Sequence, residues 1–219
     1  MIERAYMSVK LVGVTSPMPM MELVEDCNAI EAIVALAAAK SHRAKPSKRL
    51  IQKCIMMGHD SVLEHVSFTF DVQNVSRALL AQLTRHRIAS YTVESQRYVD
   101  YTKKPLRYIL PKSIERTQAQ KDFEQFMESC AQMYKDLVEI GVKPEDARFV
   151  LPQAITCDLV FSMNARELRH ACDVRIDSHA QWEIQALFKR CLWQAASAAP
   201  ALFLDKVDKF QEELKEFIV

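Results

Sequence analysis

Three glycines in 219 residues, Gly13, Gly58 and Gly141, limit what this chain can fold into more than any other feature. A dinucleotide fingerprint or a phosphate loop needs closely spaced glycines, because only bare backbone can approach a phosphate closely enough. Neither pattern can be written anywhere in the sequence. A bound phosphate must therefore be held by side chains or by helix ends.

Apolar spacing then divides the chain into strands and helices. Met7 to Thr15 is rich in β-branched residues and reads as a strand, ended by Pro17 and Pro19. From Met21 toward Lys40, Leu23, Cys27, Ile30, Val34 and Ala37 follow one helix face. Leu50, Ile51, Cys54 and Ile55 continue in helical spacing, with Gly58 placed as the C-terminal cap. Val66, Phe68, Phe70 and Val72 alternate with polar residues, a half-buried strand. Ala78, Leu79, Leu80 and Leu83 begin a helix expected to carry on through Arg85 and His86, so that Gln82, Arg85 and His86 at i, i+3 and i+4 share a face. Beyond it, an extended segment would put Ser95 and Arg97 on one side and Gln96 and Tyr98 on the other.

Ser113 is placed to cap a long helix ending at Gly141, with Phe123, Phe126, Met127, Cys130, Met133, Tyr134, Leu137 and Ile140 as its apolar face. Pro144 opens a short helix with Glu145 and Arg148. Ile155 to Met163 alternates as a strand. Asn164-Ala165-Arg166-Glu167 has the form of a capping box, with Arg166 and His170 one turn apart and Arg175 in the next break. Ser178-His179-Ala180-Gln181 repeats the pattern ahead of a helix to about Ala198, and a last helix runs from near Ala201 to Phe217.

Residues 1–219 are expected to form one domain, since the length suits one core and no linker or internal repeat interrupts it. Lys and Arg total 29 against 28 Asp and Glu, so any basic cluster is local and long nucleic acids are not the expected partner. The six cysteines are never close in sequence and read mainly as core residues of a protein in a reducing cytoplasm. Met1-Ile2-Glu3-Arg4 lacks a signal-peptide charge pattern, and no apolar run approaches the roughly 20 residues that span a bilayer, so no membrane association is expected.

The chemistry concentrates between Arg85 and Tyr98, where three arginines, a histidine, a glutamate and two serines occur without a lysine. Arginine grips phosphates and carboxylates with two parallel N–H bonds, which lysine cannot do. A single arginine at an element end is by default a surface ion pair, but Arg85, Arg87, Arg97, Arg148, Arg166 and Arg175 all lie near expected ends. The histidines make no His-x-x-x-His or His-Glu-x-x-His pair, so no metal site is expected. Ser90 or Ser95 beside His86 lacks the Gly-x-Ser-x-Gly elbow of a hydrolase. The residues themselves point to an anionic, phosphorylated small molecule; a single-stranded nucleic-acid-binding module built on the Arg85–Arg97 junction is the alternative.

Arg85-His86-Arg87, followed after seven residues by Ser95-Gln96-Arg97-Tyr98, resembles the signature of the flavin-dependent thymidylate synthases. The resemblance extends to Gly58-His59, Glu64-His65, Phe68-Thr69-Phe70, Ala147-Arg148, Val150-Leu151-Pro152, Asn164-Ala165-Arg166 and Arg175 through Glu183. It covers about residues 47–190 and leaves the first 46 unmatched. It implies an α+β fold, a central, mainly antiparallel sheet flanked by helices, and a homotetramer with shared active sites. The implied reaction is reductive methylation of dUMP to dTMP, with 5,10-methylenetetrahydrofolate as carbon donor, NADPH as reductant and FAD as cofactor.

Residue by residue, the resemblance places Gln82, Arg85, Ser95, Gln96, Arg97, Arg148 and Arg175 on dUMP positions, with Glu94 as a further dUMP candidate beside them. His59, Ser61, Arg85, His86, Arg87, Asn164, Arg166 and His170 fall on FAD positions, and Arg175 is the implied catalytic group. Thr92-Val93-Glu94 stands where the family often has Asn-Glu-x, which moves the carboxylate by one residue. His170 occupies a position where asparagine is also usual.

Overall fold

The computed structural model describes residues 2–19, 21 and 24–217. Its strands are β1 (Ile2–Arg4), β2 (Ser8–Val14), β3 (Ser67–Ser76), β4 (Ala89–Val93), β5 (Leu106–Tyr108) and β6 (Thr156–Asn164). Its helices are α1 (Ala29–His42), α2 (Lys48–Met56), α3 (Arg77–Leu83), α4 (Gln120–Glu139), α5 (Pro144–Ala147), α6 (Ala165–Arg175), α7 (Trp182–Ala198) and α8 (Pro200–Lys209). The fold is α+β, with a four-stranded antiparallel sheet in the order β2-β3-β6-β4 and helices flanking it. Among the described residues no helix is long and apolar enough to cross a membrane.

The chain resolves into two compact units. One comprises the chain up to Ser8, Val72–Thr84 and Thr92–Leu159; the other comprises Val9–Asp71, Arg85–Tyr91 and the chain from Val160. β2, β3, β4 and β6 are each divided between them.

In the first unit, β1 pairs in parallel with β5, Ile2 opposite Leu106 and Arg4 opposite Tyr108. The core gathers Tyr101, Leu106, Tyr108, Met127, Tyr134 and Ile155, with the Tyr101 and Tyr134 rings edge to face at 5.8 Å. Helix α4 buries Met127, Cys130, Ala131 and Tyr134, whereas Phe126, Met133 and Ile140 of its expected apolar face are exposed. It starts at Gln120 rather than beside Ser113, and Ala119 at its N-cap makes no side-chain bond. Arg116, at φ 63°, turns the backbone left-handed between the two and stops a helix from running through.

In the second unit the alternation of β3 buries Phe68 and Phe70, and that of β6 buries Phe161 and Met163. Phe70 stacks on Phe161 at 5.2 Å, and Phe68 meets Phe203 of α8 edge to face at 5.3 Å. Cys54, Cys172 and Cys191 are buried as expected of core thiols. Helix α1 begins at Ala29, later than the apolar spacing suggests, because Asn28 and Glu31 form a reciprocal capping box; Leu23 lies outside the described residues. Ser47 caps α2, and Gly58, at φ 70°, follows its end as expected. Helix α7 is capped by Gln181, whose side chain accepts from Glu183 and Ile184 N–H, instead of by Ser178. Asp177 takes the His179 N–H and folds that stretch into a turn. Helix α8 ends at Lys209, and a short 3-10 turn, Lys215–Phe217, takes the place of the rest of the expected last helix.

Candidate active site

Helix α3 stops at Leu83. The Thr84 hydroxyl donates back to the Leu80 carbonyl at 3.0 Å, closing the turn, and β4 begins at Ala89. Arg85, His86 and Arg87 therefore occupy a loop, and the expected shared helix face with Gln82 does not form. The loop suits a recognition role better than a helix would, because it lets one of three consecutive residues point inward while its neighbours point out. Arg85 and Arg87 are exposed; His86 is buried, at 6 % exposure.

His86 is held from every side within the second unit. Its Nδ1 lies 3.0 Å from Oε1 of Glu167, and the Nε of Arg175 donates to its Nε2 at 3.0 Å. The Tyr91 hydroxyl donates to its backbone carbonyl at 2.8 Å. The ring lies 5.7 Å from that of Phe188 and 6.3 Å from that of His170. An arginine Nε can only donate, so His86 Nε2 must accept, and the ring proton resides on Nδ1, facing the Glu167 carboxylate. Burial depresses the His86 pKa, the Glu167 bond opposes that, and the Arg175 charge adds to it. A neutral imidazole with its proton on Nδ1 satisfies all three influences.

Both partners of His86 come from α6. Asn164 caps the helix by accepting the Glu167 N–H at 2.9 Å, as the capping pattern suggests, but the Glu167 carboxylate turns to His86. Arg175 is the last residue of α6 and does not lie in a break after it. Burial first and the Arg85 guanidinium second lower the Arg175 pKa. Arginine nonetheless stays protonated throughout the working pH range. A bound anion would offset the Arg85 charge that acts on Arg175.

Asn164, Arg166 and His170, three of the expected flavin positions, line a cleft of about 470 Å³ together with Asp60, Glu64 and Ile88. Arg166 pairs with Glu64. Ser61 is exposed on the 3-10 turn Asp60–His65, and the exposed His59 stacks on His42 at 5.5 Å. A larger groove of about 730 Å³, lined by residues such as Met21, Val24, Leu36 and Lys45, contains none of the expected residues.

The first unit holds the remaining candidates. Ser95 to Tyr98 is a turn and not an extended arm: Ser95 Oγ accepts the Arg97 N–H at 3.2 Å, and the Ser95 carbonyl accepts the Val99 N–H at 3.0 Å. A serine hydroxyl that bonds its own backbone two residues on favours this turn over the alternation. Arg97 Nε lies 2.6 Å from Glu145 Oε2, and Arg148 Nε donates to the Glu145 carbonyl at 2.9 Å. Arg97 and Arg148 thus converge on one residue. The Arg97 guanidinium also lies over the Tyr98 ring, 5.5 Å from its centroid. Glu94 accepts the Asp158 N–H at 3.3 Å through its carboxylate, and it lines a cavity of about 320 Å³ with Tyr101, Lys104 and Arg107. Gln82 sits at the end of α3, half-buried.

Sequence reasoning singled out neither Glu167 nor Glu145 as a site residue. Glu145 carried a local signal, three residues before Arg148 at a helix start. Glu167 carried only its place in a capping pattern, which concealed the contact with a residue 81 positions away.

Residues 22–201 match the family model described as thymidylate synthase complementing protein, which extends the likeness well upstream of residue 47. A flavin-dependent thymidylate synthase of Geobacter sulfurreducens is 46% identical over 156 residues, 71% of this chain and 67% of that protein. One from Nitratidesulfovibrio vulgaris is 44% identical over 162 residues, 70% of this chain and 65% of the relative. One from Saccharolobus solfataricus is 35% identical over 194 residues, 83% and 74% of the two chains. The first two matches thus span about two thirds of the relatives' length (67% and 65%).

Proposed function

We propose that this chain, which belongs to the flavin-dependent thymidylate synthase family, catalyses the reductive methylation of dUMP to dTMP. The reaction takes a one-carbon unit from 5,10-methylenetetrahydrofolate and releases tetrahydrofolate. The carbon arrives at the oxidation level of a methylene and leaves as a methyl, so two electrons must be added, and NADPH supplies them. FAD, when bound, would supply the hydride-carrying chemistry between NADPH and the one-carbon unit.

The donor set of the second unit fits such a cofactor. Asn164, Arg166 and His170 line the cleft, Arg85 and Arg87 are exposed beside buried His86, and His59 and Ser61 are accessible. These residues offer N–H donors for ring heteroatoms and guanidinium groups for phosphates. Arg85 is assigned to the nucleotide as well; Arg175, Gln82, Glu94, Ser95, Gln96, Arg97 and Arg148 are assigned to the nucleotide alone. Arg97 and Arg148 suit a phosphate dianion. Arg175, permanently charged and fixed through its Nε, suits stabilisation of negative charge developing on the uracil oxygens; it does not donate a proton.

The observation that carries the reading is the Arg-His-Arg loop locked by buried His86 to Arg175, with the Arg85 charge pressing on the same guanidinium. One continuous family match over residues 22–201 supports treating the chain as one functional domain. The chain is proposed to act as a homotetramer, and the exposed Phe126, Met133 and Ile140 along and just beyond α4 offer apolar surface for such an assembly. The test is direct. Purified protein is expected to show oxidised-flavin absorbance and to oxidise NADPH with formation of dTMP only when dUMP and methylenetetrahydrofolate are both present. Colourless protein that FAD cannot reconstitute overturns the proposal.

A further inference from the structure

We infer that Glu167 is a positioning residue for Arg175, acting through the tautomer of His86. This rests on the reaction proposed above and adds to it a group that contacts neither ligand in that assignment.

The three groups form one line of hydrogen bonds. Glu167 Oε1 lies 3.0 Å from His86 Nδ1, and Arg175 Nε donates to His86 Nε2 across 3.0 Å. Glu167 and Arg175 stand at the third and last positions of the same helix, α6, and the His86 ring bridges them. Glu167 is 8 % exposed and His86 6 %, so water does not compete freely at either atom. The order of donors and acceptors has one solution. Arg175 must donate, His86 Nε2 must accept, and the Nδ1 proton must then find an acceptor, which Glu167 provides. Remove that acceptor and a buried N–H is orphaned. The ring can escape by moving its proton to Nε2, but that sets two donors face to face and takes from Arg175 Nε its acceptor. Glu167 thereby fixes the acceptor that Arg175 Nε uses, in the manner in which an outer group fixes the ring of a histidine whose other nitrogen is engaged.

Glu167 works here as an acceptor at the correct reach, which gives an unusual order of variants. Glu167→Gln keeps an oxygen in place and is expected to retain at least a third of kcat. Glu167→Asp keeps the charge but withdraws the carboxylate from Nδ1, and it is expected to lose at least tenfold in kcat, as is Glu167→Ala. FAD content measured by absorbance should stay within twofold in all three. Because Glu167 acts through Arg175, the Glu167→Asp, Arg175→Lys double variant should be no slower than Arg175→Lys alone, whereas independent effects would multiply.

A readout that does not depend on turnover uses ¹⁵N-histidine NMR, with the His86 signals assigned by comparison with His86→Gln. Wild type and Glu167→Gln are expected to show the Nδ1–H tautomer, and Glu167→Asp or Glu167→Ala to lose it. Full activity in Glu167→Asp, multiplicative losses, or an Nε2–H tautomer in the wild type each overturn the inference. Should the wild type make no dTMP, the proposed reaction fails while the tautomer result still decides the hydrogen-bond order.

Discussion

Arg97 Nε lies 2.6 Å from Oε2 of Glu145, the residue whose carbonyl also receives Arg148 Nε. An arginine assigned to a phosphate is thus occupied by a carboxylate. The pair is open to solvent, with the side chains 58% exposed at Arg97 and 33% at half-buried Glu145, so it contributes no more than about 1 kcal/mol to stability. A phosphate dianion that takes the Nε edge of the fork has to displace the Glu145 oxygen. Glu145→Gln is expected to tighten dUMP binding several-fold in calorimetry and to leave the melting temperature nearly unchanged. Weaker binding would mean that Glu145 itself contacts the nucleotide.

Arg175→Lys separates charge from geometry. Lysine keeps the positive charge but has no Nε–H in a rigid plane to anchor on His86 Nε2. Loss of one well-placed donor to a developing oxyanion typically costs on the order of 10²-fold in rate, about 2.7 kcal/mol. The stability lost with one hydrogen bond to a half-buried residue is about 1 kcal/mol. Steady-state kinetics should therefore show a fall in kcat/KM on the order of a hundredfold. Thermal denaturation should shift by about 2–4 °C. Equal losses in rate and stability would argue for a structural role alone.

What the sequence disclosed depended on range. Alternation in β3 and β6 identified strands correctly, because half-burial of a sheet writes a period of two directly into neighbouring residues. Gly58 and Pro144 marked a helix end and a helix start for equally local reasons. Caps were misjudged where several polar residues competed: Ser113 and Ser178 had the right chemistry, but a left-handed Arg116 and the Asp177 turn decided otherwise. Strand β1 was missed because three residues gain strand character only by pairing with Leu106–Tyr108, a hundred positions on. Among site residues, the arginines were visible by type and spacing. The contacts of Glu167 with His86 and of Glu145 with Arg97 were not, since each joins separate elements.

Glu31 ties two helix starts together. Its Oε2 accepts the Asn28 N–H at 3.0 Å, closing the α1 capping box, and its Oε1 accepts the Ala201 N–H at 2.6 Å in the first turn of α8. The carboxylate is only 3 % exposed, so neither donor finds water if it is removed. Glu31→Gln can satisfy one of the two and is expected to cost about 1–3 kcal/mol, with Glu31→Ala costing more. Urea denaturation should show a lower midpoint with an unchanged slope, the sign of lost stability without a change in compactness.

The His86 site also predicts how stability follows pH. Its pKa is depressed by burial and by the Arg175 charge, with the Glu167 bond opposing both and His170 adding to the depression. An unfolded histidine titrates near about 6.5. As pH falls through that value, the unfolded chain takes up a proton that folded His86 refuses, so the unfolded state gains. Stability is therefore complete above about pH 6.5 and declines as pH falls toward the lower folded pKa. Asp100, Asp173 and Asp177, whose pKa values are lowered from the ordinary carboxylate range, act in a more acidic window and leave the decline at mildly acidic pH to histidine. Melting temperatures of the wild type should drop between about pH 7 and pH 5, and His86→Gln should flatten that slope. A His86→Gln profile as steep as the wild type's would place the titrating group elsewhere. A flattened one would show that the imidazole between Glu167 and Arg175 is held neutral.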